Sequence, residues 1–190
     1  MSSIVERIRE RERNHVILRN RLRRAVRLHL PALLPDYVKL LSGTVLGFGI
    51  VTYLLRRYTD VDPLWMLGGV ALMYSLRAAY YDVKLATDPD FTVPKCGCAR
   101  AADDRTEVVL QSTYSRVFGI PNAAIGSVVY LAMLTAVQLN HHEAATFLAA
   151  GVVAGSGYLG YAMVARIGAL CPTCVTIAGL NLLILGQLLA

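Results

Sequence analysis

Charge is scarce in this chain: Asp, Glu, Lys and Arg make up 17% of its 190 residues, while 55% are hydrophobic. A soluble domain of this length carries more charge and interrupts its apolar runs sooner, so the composition argues against one. Cysteine is scarcer still. Only four occur, as two close pairs, Cys96-Gly-Cys98 and Cys171-Pro-Thr-Cys174. Such pairs in an apolar sequence point to dithiol–disulfide chemistry at a lipid boundary rather than to a stapled fold. The first long apolar run begins late and lacks a small-residue cleavage site, which excludes a signal peptide. The basic N-terminal segment has neither interleaved aromatics nor a nucleic-acid-binding module, so no nucleic-acid partner is expected.

Five apolar runs are present that are long enough, or nearly so, to cross a bilayer: 37–55, 63–83, 123–139, 144–165 and 171–189. Spans that must satisfy their own backbone hydrogen bonds are helices, so an all-α, polytopic membrane protein is expected in the cell membrane, in contact with lipid. Residues 1–35 form a distinct basic tail, with nine arginines and only Glu6, Glu10 and Glu12 against them. Ile4, Ile8, Val16, Ile17, Leu22, Val26 and Leu30 give it amphipathic spacing, as suits a segment lying near anionic lipid.

If all five runs cross, the tail, the 84–120 loop and the start of the last span share one face. Of the 19 Lys and Arg residues only Arg56 and Arg57 lie on the opposite face, beside Asp60 and Asp62. The positive-inside bias then places the cysteines on the cytoplasmic side. That placement suits a cell whose cytosol carries disulfides; if 37–55 does not span, the cysteines become extracytoplasmic.

Cys171-Pro-Thr-Cys174 opens the last apolar run. Proline is well suited to the first helical position, so Cys171 is the expected cap and Cys174 falls in the first turn. Both sulfurs then face unsatisfied N–H groups and the positive end of the helix dipole, which favours thiolate, the attacking species in disulfide exchange. Cys96-Gly-Cys98 closes a small strained ring if oxidised, with Gly97 supplying the backbone freedom, and strained disulfides suit a relay. The rival reading joins all four cysteines around one zinc ion in a non-enzymatic membrane module.

Between the pairs, Leu110, Tyr114, Val117 and Phe118 fall at helical spacing, which predicts one short half-buried helix ended by Gly119 and Pro121. Asn122 then stands at the membrane entrance, where its plainest role is a helix cap. His141 and His142 read as solvated loop residues. Arg77, Tyr80 and Tyr81 read as interfacial anchors, and Gly151, Gly155 and Gly157 as a close-packing stripe.

With these residues in view, the chain resembles the vitamin K epoxide reductase family, including its bacterial and archaeal disulfide-forming homologues. The likeness runs from about 63 to 189. It rests on the loop cysteines, Ser112, the Phe118-Gly-Ile-Pro-Asn122 turn, Gly126, Tyr130 and the Cys171–Cys174 motif. The resemblance implies a four-helix bundle core (63–190) around a quinone of menaquinone or ubiquinone type, roofed by the 84–120 loop. Residues 36–57 form an extra N-terminal transmembrane helix outside that core. By the same resemblance, Cys174 is the quinone-facing thiolate and Cys171 exchanges with the loop pair. Asn122 hydrogen-bonds a quinone oxygen, and Ser112 sits near the active cysteines.

Two departures stand out. Thr106 occupies the position where the family places its second loop cysteine, and Ala178 the position of a quinone-contacting tyrosine. With no thioredoxin-like domain after 171–189, a separate thioredoxin-like partner is expected. The implied activity is oxidation of a partner dithiol through the two cysteine pairs to a membrane quinone, which generates protein disulfides. Reduction of a quinone epoxide is the alternative within the family.

Overall fold

A computed structural model of the chain describes residues 33–60, 62–88, 90–94 and 106–190. The basic tail before residue 33 lies outside them, as do Cys96 and Cys98. The helices are α1 (Leu33–Tyr58), α2 (Pro63–Thr87), α3 (Thr106–Leu110), α4 (Asn122–Gln138), α5 (His142–Ala162) and α6 (Pro172–Leu189). A π-helical turn, Met163–Ile167, continues α5.

Local chemistry sets most of the helix ends. The Asp62 carboxylate accepts the Leu64 N–H at 2.9 Å, and Pro63 occupies the first helical position of α2. Asn140 takes a left-handed conformation (φ 58°) in the tight turn between α4 and α5. Gly168 does the same at φ 67°, where the π turn stops and its N–H returns to the Met163 carbonyl.

The molecule is an all-α, multi-pass membrane protein. Among the described residues, three helices are long and apolar enough to cross a membrane on their own: α1, α5 with its π-helical continuation, and α6. The other two expected spans differ. Helix α4 has 17 residues, about 26 Å of rise against a hydrocarbon core of roughly 30 Å. Helix α2 has length enough, at 25 residues, but its last three turns carry Arg77, Asp82 and Lys84. Both complete the bundle alongside the three qualifying spans.

Helix α2 packs on α4 and α6, and α5 closes the bundle against α4 and α6. The interior comprises Leu64, Leu67 and Ala71 from α2; Tyr130, Met133 and Val137 from α4; Ala145 and Ala149 from α5; and Leu180 and Ile184 from α6. A polar chain crosses it. The Tyr130 hydroxyl donates to Asn181 Oδ1 at 2.6 Å, and Asn181 Nδ2 donates to Ser156 Oγ at 2.7 Å.

Close approach is provided by glycines other than the predicted stripe. A Cβ on Gly68 would stand 2.7 Å from Leu134 Cδ2, and one on Gly179 would stand 2.8 Å from Thr44 Cγ2. Around Gly151, Gly155 and Gly157 a Cβ would meet open space, because this stretch of α5 faces outward.

Helix α1 runs parallel to α6. Its Tyr37, Leu40 and Leu41 pack against the cluster holding Cys171 and Val175. Thr44 and Val45 lie against Gly179, and Gly49 lies toward Leu183. The start of α1 therefore lies at the same end of the bundle as Cys171.

Candidate redox site

Cys171 is the N-cap of α6, with Pro172 following at the first helical position. Its Sγ accepts the Cys174 N–H at 3.2 Å, one of the amides that the first turn leaves without a helical partner. The Cys174 Sγ stands 2.6 Å from the Cys171 Sγ, against about 2.05 Å for a disulfide. The pair can therefore open and close without moving the helix. The two differ in access: Cys171 is 1% exposed, whereas Cys174 is half-buried.

The wall around the pair is apolar and comes from four elements. Val109 arrives from α3, Met163 and Ile167 from the π turn, Val175 from α6, and Tyr37, Leu40 and Leu41 from α1. Val109 lies in the cluster that buries Cys171, so α3 forms part of the wall around that sulfur.

Ser112 sits just past α3, where its hydroxyl donates to the Val109 carbonyl at 2.7 Å. It is half-buried and acts on the backbone that carries Val109. Thr106, at the head of α3, is buried.

The single helix predicted over 110–118 does not form. Beyond α3 the chain makes a 3₁₀ turn (Thr113–Ser115) and then a hairpin of two short strands, β1 (Arg116–Val117) and β2 (Ile120–Pro121). Ser112 and Ser115 hydroxyls bond backbone carbonyls here and compete with helical hydrogen bonding. Phe118 and Gly119 turn the hairpin at positive φ, which leaves Phe118 fully exposed. Arg116 anchors the hairpin through the buried Asp82 carboxylate, reaching both oxygens at 3.0 and 3.2 Å.

Asn122 is the first residue of α4, after the N-cap Pro121, so it is not the cap. Its Nδ2 donates to the Tyr114 carbonyl at 2.9 Å. The amide carries two N–H groups and one carbonyl, so one bond fixes the side chain and leaves a donor and an acceptor for a ligand. Asn122 lies at the cysteine end of the bundle, because the Tyr114 carbonyl it holds follows closely on α3, whose Val109 packs in the cluster with Cys171.

His141 and His142 are exposed at the opposite end. Tyr81 is not an interfacial anchor. It is buried with Val93 and Leu110, and its hydroxyl accepts the Arg77 Nε–H. Contact across distant elements put it there, and helical spacing gave no sign of it. Tyr37 was likewise absent from the sequence-derived site, because its place beside the cysteines depends on how α1 packs.

Two comparisons bear on these observations. Residues 63–188 match the model of the vitamin K epoxide reductase family. No curated protein matches the chain.

Proposed function

The chain belongs to the vitamin K epoxide reductase family of membrane oxidoreductases, which act on quinones or their epoxides and on thiols, and on that premise we propose that it oxidises a protein dithiol at the expense of a membrane quinone. A reduced thioredoxin-like partner exchanges with the Cys96–Cys98 disulfide, leaving that pair as two thiols and the partner oxidised. The loop dithiol then reduces the Cys171–Cys174 disulfide. Finally the Cys171–Cys174 dithiol gives two electrons and two protons to the quinone, which leaves as quinol while the disulfide re-forms. The quinone is a co-substrate of menaquinone or ubiquinone type.

The observation that carries this reading is the cysteine pair at the start of α6: sulfurs 2.6 Å apart, capped by an amide, in an apolar surround. Half-buried Cys174 is the sulfur that meets the quinone, and enclosed Cys171 is the one that exchanges with the loop. The remaining Asn122 amide donor suits a quinone oxygen. Ser112 supports the α3 segment over Cys171. The charge asymmetry supports a cytoplasmic cysteine end, with an extracytoplasmic one the alternative if 37–55 does not span.

Purified protein, a reduced thioredoxin-like protein and a soluble quinone provide the test. Cys174→Ala abolishes quinone reduction on this reading; full activity in that variant refutes it. Metal analysis separates the zinc-module reading, which requires stoichiometric zinc and thiols that do not titrate on oxidation.

A further inference from the structure

Helix α1 lies outside the matched residues 63–188, yet it brings an ionisable group to the cysteines. Tyr37, one turn from the N-terminus of α1, packs against the cluster of Cys171, Val175, Met163 and Val109, against which Cys174 also packs. Its phenol also interacts electrostatically with Cys174.

The opposite wall is shaped for it. A Cβ built on Gly160 of α5 would collide with the Tyr37 hydroxyl and stand 3.0 Å from Cζ. The absence of a side chain at Gly160 is what lets the phenol sit between α5 and the start of α6.

The other charged groups on the surrounding elements are engaged elsewhere. Glu107 of α3 accepts the Val93 N–H at 2.8 Å, Arg166 of the π turn lies over the Tyr161 ring, and Asp36 pairs with Lys39 on α1. Among the described residues, that leaves the phenol as the polar side chain from another helix best placed to meet charge on Cys174. A phenol is a hydrogen-bond donor, and hydrogen bonds to an ionised acceptor are about twice as strong as neutral ones.

We infer that Tyr37 is a positioning residue for the redox pair, donating its phenolic hydrogen to the Cys174 sulfur when that sulfur is a thiolate. The added helix is thereby part of the working site and more than a membrane anchor. The inference rests on the redox reading of Cys171 and Cys174, but its test does not use quinone turnover.

The experiment measures alkylation of Cys174 in the full reduced chain in lipid nanodiscs, resolved peptide by peptide by mass spectrometry. With Tyr37→Phe, alkylation at pH 7 falls about tenfold, the fold-change of one pKa unit. At a pH above the inflection of the alkylation rate in both proteins, the two rates converge. Gly160→Ala displaces the hydroxyl while keeping it in the chain, and it reproduces the same pattern. The double variant is no slower than either single one.

Equal rates in Tyr37→Phe and the parent protein at pH 7 overturn the inference, as does an equal change at both pH values, which signals altered access. Failure of the redox reading looks different: Cys174→Ala then keeps quinone reduction whatever the alkylation profiles show.

Discussion

At the scale of single residues, Cys171 has two separable duties. In the proposed reaction its sulfur is half of the redox pair, and in the structure it caps α6 by accepting the Cys174 N–H. Cys171→Ser keeps an acceptor at the cap and loses the redox function, whereas Cys171→Ala loses both. Neither variant should turn over quinone. In thermal unfolding, Cys171→Ala should be the less stable by about 1 kcal/mol, the usual worth of an N-cap. Equal stabilities would show that the sulfur is no cap. This cap was legible before any coordinates, because Pro172 and the apolar run behind it mark a helix start. Tyr37 was not legible, since nothing local to residue 37 speaks of residues 160 and 174.

At the scale of elements, the packing of α4, α5 and α6 depends on the buried Tyr130–Asn181–Ser156 chain. Tyr130→Phe leaves Asn181 Oδ1 without its donor in the bundle interior, a loss of about 1–3 kcal/mol. Adding Asn181→Leu removes the stranded acceptor as well, so the double variant should unfold at a higher temperature than Tyr130→Phe alone. A lower temperature would mean that Asn181 stabilises the bundle through other contacts.

The glycines make a second contrast. Gly68→Ala drives a methyl into Leu134 and should cost about 1–3 kcal/mol. Gly155→Ala meets open space and gains helix propensity, up to about 1 kcal/mol in favour. Thermal melts of the two variants check both signs. The glycine and alanine positions on α5 look alike as letters. Which of them face a neighbour is decided by helix rotation, and that is why the stripe at Gly151, Gly155 and Gly157 misled while Gly160 went unnoticed. The loop shows the same limit: Leu110, Tyr114, Val117 and Phe118 have helical spacing, but hydroxyl–carbonyl bonds and a left-handed turn break the run.

At the scale of the whole molecule, α1 parallel to α6 brings the start of α1 to the cysteine end. The alternation of apolar runs had already implied this arrangement. The side of the membrane follows only from charge: if the cysteine end faces the cytoplasm, a membrane-impermeant thiol reagent applied to intact cells should leave reduced Cys96 and Cys98 unlabelled. Prompt labelling would reverse the orientation and leave the chemistry intact.

The central claim is that the Cys171–Cys174 pair itself delivers electrons to quinone, and a single turnover tests it most directly. The Cys96→Ser, Cys98→Ser variant is fully reduced, freed of reductant, and mixed with one equivalent of a soluble quinone in lipid nanodiscs. Quinol and peptide disulfides are then counted. The account predicts one quinol per chain and a Cys171–Cys174 disulfide in the same amount. Quinone left unreduced, or quinol formed while both cysteines remain thiols, would contradict it.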